Sequence, residues 1–358
     1  MSDIHEVLDR AVNEGGVPGV VAEIHHGDDQ RFATAGVADT ATGWKRQAGE
    51  HFRIGSITKT FVSTVMLSLA AKWKMPLDHK VGTWLPRVIR GNGHDGRAIT
   101  VRQLLNQTSG IANYSLDPEM LQRCHSPAFL DHRFDSYRPE QLVETAMAHP
   151  PAFEPGTDWG YSNTNSVLIG MIIEKGTGRT LGEEIQRVIT DPLGLTGTYL
   201  PEGDDPTLRG PHARHYTKNA MSGGDAPVYD VTELNPSGAW AAGGMVSTTA
   251  DLNRFFRALL AGEILPPEQQ EEMFTTVPTR GWLDNAEYGL GISSVTLSSG
   301  ATVWGMGGAV NGSWSCAYGT RDGGHVVSMN VNGDWADGDW TNPIGIFTDV
   351  LEAEFRPS

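Results

Sequence analysis

Cysteine is nearly absent: the 358 residues contain only Cys124 and Cys316. They lie far apart in sequence, which excludes a disulfide framework as the basis of the fold. Basic residues are also scarce, 27 against 43 acidic ones, for a formal net charge of −16. Such a chain lacks the clustered Lys and Arg that a phosphate backbone or an anionic lipid surface attracts, so neither nucleic acid nor membrane is an expected partner. No apolar run approaches the roughly 18 residues that a membrane span needs. The opening segment, MSDIHEVLDRAVNEGG, reads as an amphipathic helix rather than a basic stretch leading into an apolar one. It carries no sign of an export signal, and a cytoplasmic location is expected. There is no H-E-x-x-H, no paired cysteine and no phosphate-binding glycine loop, so no metal and no cofactor are expected. There is no G-x-S-x-G elbow either, which argues against an α/β-hydrolase. Of the 12 histidines only His212 and His215, in HARH, have near-ligand spacing, and that stretch reads as a surface loop. The aspartates and tryptophans of NGDWADGDW read either as a pocket mouth or as a solvated loop.

What is present is an ordinary globular composition, 39% hydrophobic and 20% charged, with length enough for one large or two fused domains. After the first helix, GVVAEIHHGDDQRFATAGVADTATG alternates as two or three antiparallel strands. From Ser56 the period changes. Ile57, Phe61, Val65, Leu69 and Trp73 recur every four residues, predicting one long buried helix to about Lys74. The middle of the chain reads as helices and loops. VRQLLNQTSG is closed by Gly110, SNTNSVLIGMIIEKGTGR is stopped by Gly176, and TTADLNRFFRALLAGEIL ends at Gly262. Strand patterns then return in YGLGISSVTL, ATVWGMGG, GSWSCAYGT and GHVVSMNVN, before a closing helix, PIGIFTDVLEAEF. The expected architecture is an antiparallel sheet domain with its terminal helices, residues 1–60 and 255–358, into which a mostly helical domain, 61–254, is inserted. The functional site would lie between them.

Three stretches carry candidate chemistry. In FRIGSITKTF, Ser56 and Lys59 are three residues apart and share a helix face. A serine hydroxyl is a poor nucleophile until a base takes its proton. Lysine serves as that base only if its pKa falls from about 10.4 toward ~7, or about 4 kcal/mol of destabilised charge, which burial against Phe61 and other apolar neighbours would supply. The same spacing also describes a helix cap with a solvated lysine. In YSNTN, Tyr161 could relay protons and Asn163 could contact a substrate carbonyl. A packed aromatic and a capping Asn fit it equally. In VWGMGGAVNG a strand runs into a glycine cluster, which allows close backbone approach and an oxyanion-hole N–H beside that of Ser56. A tight turn without a partner is the plainer reading.

Taken in order, SITK, YSN and the glycine-ended strand resemble the penicillin-recognising serine hydrolases: DD-peptidases, class C β-lactamases, D-amino-acid amidases and related esterases. VGTWLP, ITVRQLLNQTSGI and GGMVSTTADLNRFFRALL extend the likeness through most of the chain. The resemblance implies a β-lactamase/transpeptidase-like fold of α+β class with Ser56 as nucleophile. Lys59 and Tyr161 would share the acid–base work and Asn163 would contact substrate. Trp240 would be a cleft aromatic, and Ser56 and Ala309 would supply the oxyanion N–H groups. The family's usual Lys-Thr-Gly or His-Thr-Gly triplet, which holds a substrate carboxylate, is here Met306, Gly307 and Gly308. Each lost hydrogen bond to a charged group is worth roughly 1.5–3 kcal/mol, so affinity for an anionic tail falls by several powers of ten. An arginine that some relatives carry after YGLG is also missing, since Ile292, Ser293 and Ser294 follow. The expected partner is therefore a small-molecule ester or amide without the carboxylate, its acyl group passing through Ser56 to water or to an amine or alcohol acceptor. A D-alanyl-D-alanine carboxypeptidase or weak β-lactamase, and a non-catalytic binding relative, are the alternatives. Oligomeric state is not encoded legibly.

Overall fold

The computed structural model describes residues 4–218 and 226–356. Helix α1, Ile4–Asn13, buries Ile4, Val7, Leu8 and Ala11, the i, i+3, i+4, i+7 stripe of an amphipathic helix. The first three residues of that predicted helix lie outside the described residues. Two strands follow, β1 (Gly19–His26) and β2 (Asp29–Gly36), paired antiparallel. The later strands are β3 (Val277–Pro278), β4 (Ala286–Tyr288), β5 (Ser293–Thr296), β6 (Thr302–Val310), β7 (Ser313–Gly319) and β8 (His325–Val331). All eight form one antiparallel sheet in the order β2-β1-β8-β7-β6-β5-β4-β3. The first strands thus slot beside the last one, with Val20 opposite Val331. The strand containing the glycine cluster does not stop there. It runs on to Val310, which pairs with Ser313, because a strand of glycines can pass a neighbouring backbone closely without side-chain conflict.

The two faces of the sheet are covered differently. On one, α1 and the closing helix α5 (Pro343–Glu354) pack over Val303, Cys316, Tyr318, Val327 and Met329. On the other lie α2 (Thr58–Trp73), α3 (Asn163–Thr177) and α4 (Thr249–Leu260), in one continuous core that includes Met306, Ala317 and Val326 of the sheet. Buried polar ties fasten α4 to the sheet: Thr249 Oγ1 donates to Glu23 Oε2 at 2.6 Å, and Asn253 Nδ2 to Glu23 O at 2.9 Å. The expected boundaries at 60/61 and 254/255 fall inside α2 and α4, so neither is a joint in the chain. Helix α3 also ends later than expected, at Gly178 with φ of 72°. Gly176 is still within the helix, and Trp73 of α2 packs where its side chain would be.

Two further stretches differ from plain solvated loops. The HARH stretch is only half a surface loop: His212 is exposed, but His215 is fully buried and burial holds its pKa well below 6.5. Within NGDWADGDW, Asp334 lines a cavity, as the pocket-mouth reading has it, and accepts from Thr217 Oγ1 at 2.5 Å and Gly312 N at 3.2 Å, whereas Trp340 packs into the core beneath the terminal helices. Among the described residues no helix is long and apolar enough to cross a membrane, and no cluster of His, Cys, Asp and Glu could hold a metal.

Candidate active site

The segment Ile54–Gly55–Ser56 is held from both sides. Ile54 N donates to Met245 O at 3.0 Å, and the two-residue strand Phe52–Arg53 pairs with Val246–Ser247. Gly55 has φ of 50°, which a side chain would strain, and it starts a short 3₁₀ turn, Gly55–Ile57, that runs directly into α2. A β-carbon on Gly55 would lie 2.5 Å from Ala309 N, and one on Gly308 would lie 2.7 Å from Ser56 N. The turn bearing Ser56 and the end of β6 are therefore in backbone contact. Strand β5 pairs with β6 only as far as Ser293 opposite Gly305, so Met306–Val310 border the cleft instead of another strand on that side.

Ser56 Oγ sits between two partners: Lys59 Nζ at 2.9 Å and the Tyr161 hydroxyl, which donates to it at 2.8 Å. Lys59 is 1% exposed, and burial pushes its pKa well below 10.5. Burial is the cause expected from the sequence, but the groups around the amine are not the expected ones. Phe61 stacks on Phe255 at 3.8 Å and belongs to the core, whereas Lys59 Nζ meets Asn163 Oδ1 at 2.8 Å and Ala242 O at 2.7 Å. The Tyr161 ring centre is 4.8 Å from the same nitrogen. Burial raises the Tyr161 pKa, so its hydroxyl keeps its proton across neutral pH. Tyr161 is set in an aromatic wall, stacked with Trp282 at 6.0 Å and met edge-on by Tyr288 at 6.5 Å.

Asn163 is oriented by its own network. Its Nδ2 donates to Ser115 Oγ at 3.0 Å, and Ser115 Oγ donates to Asn113 Oδ1 at 3.0 Å. That chain turns the Asn163 oxygen toward Lys59, and its remaining N–H is the one that could meet a substrate. Trp240 does not join this group. It begins a short helix, Trp240–Gly243, with φ of 34°, and its ring fills the slot left by Gly170 of α3, beside a different cavity shared with Tyr137 and Tyr199. Its neighbour Ala242 contributes instead, through a carbonyl. Met306 is 1% exposed and packed in the core, so within the glycine triplet only Gly307 has open space where a side chain would be. Sequence reasoning missed Ala242, Asn113, Ser115 and Trp282. No local pattern marks them, because each comes from a segment distant in sequence from Ser56, Ala242 from the short helix Trp240–Gly243 and Ser115 from a 3₁₀ turn.

The arrangement suits acyl transfer. A neutral amine uses its two N–H groups on Asn163 and Ala242 and aims its lone pair at the Ser56 hydroxyl. Comparison with known proteins agrees. The family model described as Beta-lactamase matches residues 4–341. The structure of a D-stereospecific amidohydrolase from Streptomyces sp. superposes with a TM-score of 0.90 and 47% identity, covering 98% of this chain and 97% of that one. The D-amino acid amidase of Ochrobactrum anthropi SV3 gives a TM-score of 0.83 and 27% identity, over 98% and 97%. Esterase EstB of Burkholderia gladioli is 32% identical over 194 residues, which is 53% of this chain and about half, 48%, of the esterase. The β-lactamase/transpeptidase-like fold expected from the sequence is the fold observed.

Proposed function

The chain belongs to the beta-lactamase family as a serine hydrolase, and from that premise we propose that it cleaves amides or esters of small D-configured amino acids through an acyl-Ser56 intermediate. The observation that carries this reading is the contact set at Ser56: a buried amine at 2.9 Å on one side and a protonated phenol at 2.8 Å on the other. Lys59 takes the Ser56 proton as the oxygen attacks the carbonyl. The backbone N–H groups of Ser56 and Ala309 stabilise the oxyanion, and Tyr161 passes a proton to the leaving atom. Asn163 is a positioning residue for Lys59. Water, or an amine or alcohol, then takes the acyl group by the reverse sequence.

Two observations support the substrate class. Among the described residues no Arg, Lys or His lines the cleft that contains Ser56 and Tyr161, which leaves that side of the nucleophile without a cation to pair with a carboxylate. The 47%-identical structure is that of a D-stereospecific amidohydrolase. The test is intact-mass analysis with D- and L-phenylalanine methyl esters, alongside D-phenylalaninamide, a D-Ala-D-Ala peptide and nitrocefin by rate. One acyl adduct, faster with the D ester and absent from Ser56→Ala, is expected. Faster turnover of the D-Ala-D-Ala peptide than of D-phenylalaninamide would refute the substrate assignment.

A further inference from the structure

The cleft does not end at the nucleophile. A groove of about 580 Å³ runs from Ser56 and Tyr161 across β6 at Gly307 to the side of α5. Its floor is the outer face of the sheet, where the strand register puts Gly305 beside Tyr318 and Gly307 beside Cys316. A β-carbon on Gly307 would meet nothing closer than Ser315 O at 3.8 Å, so the missing side chain leaves real space. The walls are largely apolar, with Trp282, Val295, Leu297, Trp314, Phe347 and Leu351. Two carboxylates line it: Glu352 at the far end is already engaged, accepting from Ser298 N at 2.5 Å and Ser298 Oγ at 2.7 Å, and Asp284 is exposed to solvent.

A second, smaller cavity of about 240 Å³ lies on the other side of Ala309, and its lining includes Ser115, Asn163 and Asn311 together with the basic Arg123 and Arg133. A carbonyl held at Ser56 and Ala309 would project one substituent toward each space. Tyr161 is the group able to protonate a departing atom, and it borders the groove but not the smaller cavity. We propose that the groove receives the leaving group, and that the preferred substrates carry a bulky, uncharged, apolar amine or alcohol there. This rests on the acyl-Ser56 reading. In that step the Ser56 Oγ–carbon bond forms and the carbon–leaving-atom bond breaks. The Ser56 proton goes to Lys59, and Tyr161 delivers one proton to the departing nitrogen or oxygen, being reprotonated from Lys59. Deacylation by water runs the same path backwards, so an apolar amine or alcohol seated in the groove would also be the favoured alternative acceptor.

The experiment uses D-phenylalanine alkyl esters from methyl to octyl, whose alcohols have nearly the same basicity, so that chain length is the variable. Burial of the added methylenes should raise kcat/KM by about ten-fold or more along the series. Gly307→Val, whose side chain suits a strand and fills the open space, should flatten the series. Thr348→Trp, at the exposed far end, should cut the octyl-to-butyl ratio. A flat series in the native enzyme would overturn the proposal. So would a series that survives Gly307→Val, or chain-length dependence that appears only when the N-acyl side is extended. An acyl adduct on Ser56 with a flat series leaves the catalytic reading standing and removes this one. If no ester acylates Ser56, the catalytic reading fails. Calorimetry of 1-octanol then decides the groove, with saturable binding that Gly307→Val abolishes expected and no binding overturning it.

Discussion

Lys59 Nζ donates to the carbonyl oxygen of Ala242 at 2.7 Å, an acceptor that has no proton to give back. Asn163 Oδ1, at 2.8 Å, is another. These two contacts decide what the third can be. With both N–H groups of a neutral amine occupied, the lone pair is left for Ser56.

The pH dependence follows. Burial lowers the Lys59 pKa, so kcat/KM should climb as pH rises through a value well below 10.5 and then stay level into the alkaline range. The raised pKa of Tyr161 places no falling limb below about pH 10. Stability has the same sign: between the depressed folded pKa and 10.5, the unfolded chain binds a proton that the folded one does not, so the Lys59 contribution becomes more favourable as pH rises. Lys59→Arg, always protonated, should lose about 10²–10⁴ in kcat/KM. A pH–rate profile that rises only near 10.5 would show that burial does not depress the Lys59 pKa, and a rising limb left unchanged in Lys59→Arg would show that Lys59 is not the base.

Tyr161→Phe separates proton delivery from packing. The ring contacts with Trp282 and Tyr288 survive the change, and only the hydroxyl at 2.8 Å from Ser56 is lost. An amide needs its leaving nitrogen protonated, so amide turnover should drop by about 10²–10⁴. A nitrophenyl ester leaves without a proton, and its acylation rate should fall by less than about ten-fold. Equal losses for the two substrates, measured by single-turnover kinetics, would assign Tyr161 to positioning alone.

How much of this was legible in the sequence varies with the distance over which each contact forms. Ser56 and Lys59 are separated by one helical turn, and the four-residue period from Ile57 to Trp73 fixes that helix, so their meeting could be read directly. Tyr161 is 105 residues from Ser56, and its place was readable only through the resemblance of YSN to a family pattern. Trp240 shows the cost of that route. The residue type fitted, but Gly170 gives its ring a slot on α3, and the neighbouring Ala242 carbonyl does the work that no side-chain pattern announces. Lys59 was expected to be desolvated by Phe61 and other apolar neighbours; it is buried, but Phe61 itself is committed to Phe255. The continuation of β6 past its glycines was hidden for a similar reason. It depends on the backbone of Ile54–Ser56 lying against it, and that contact joins segments about 250 residues apart.

That backbone contact supplies the last prediction. A β-carbon on Gly308 would fall 1.9 Å from Ile54 O and 2.7 Å from Ser56 N, and neither atom can swing aside as a side-chain tip would. Gly308→Ala must therefore separate β6 from the turn that carries the nucleophile. Such overpacking typically costs about 1–3 kcal/mol. The displacement would also move the Ala309 N–H away from that of Ser56, and a lost oxyanion donor raises the barrier by about 2.7–4 kcal/mol. Gly307→Ala is the internal comparison for stability, because its added carbon would have 3.8 Å of clearance and should change stability by no more than about 0.5 kcal/mol. Thermal denaturation of both variants, with burst-phase acylation of Gly308→Ala, makes the check. A Gly308→Ala protein as stable as Gly307→Ala, and acylated at the native rate, would mean that the close approach of Gly308 to Ile54 does not hold the oxyanion site together.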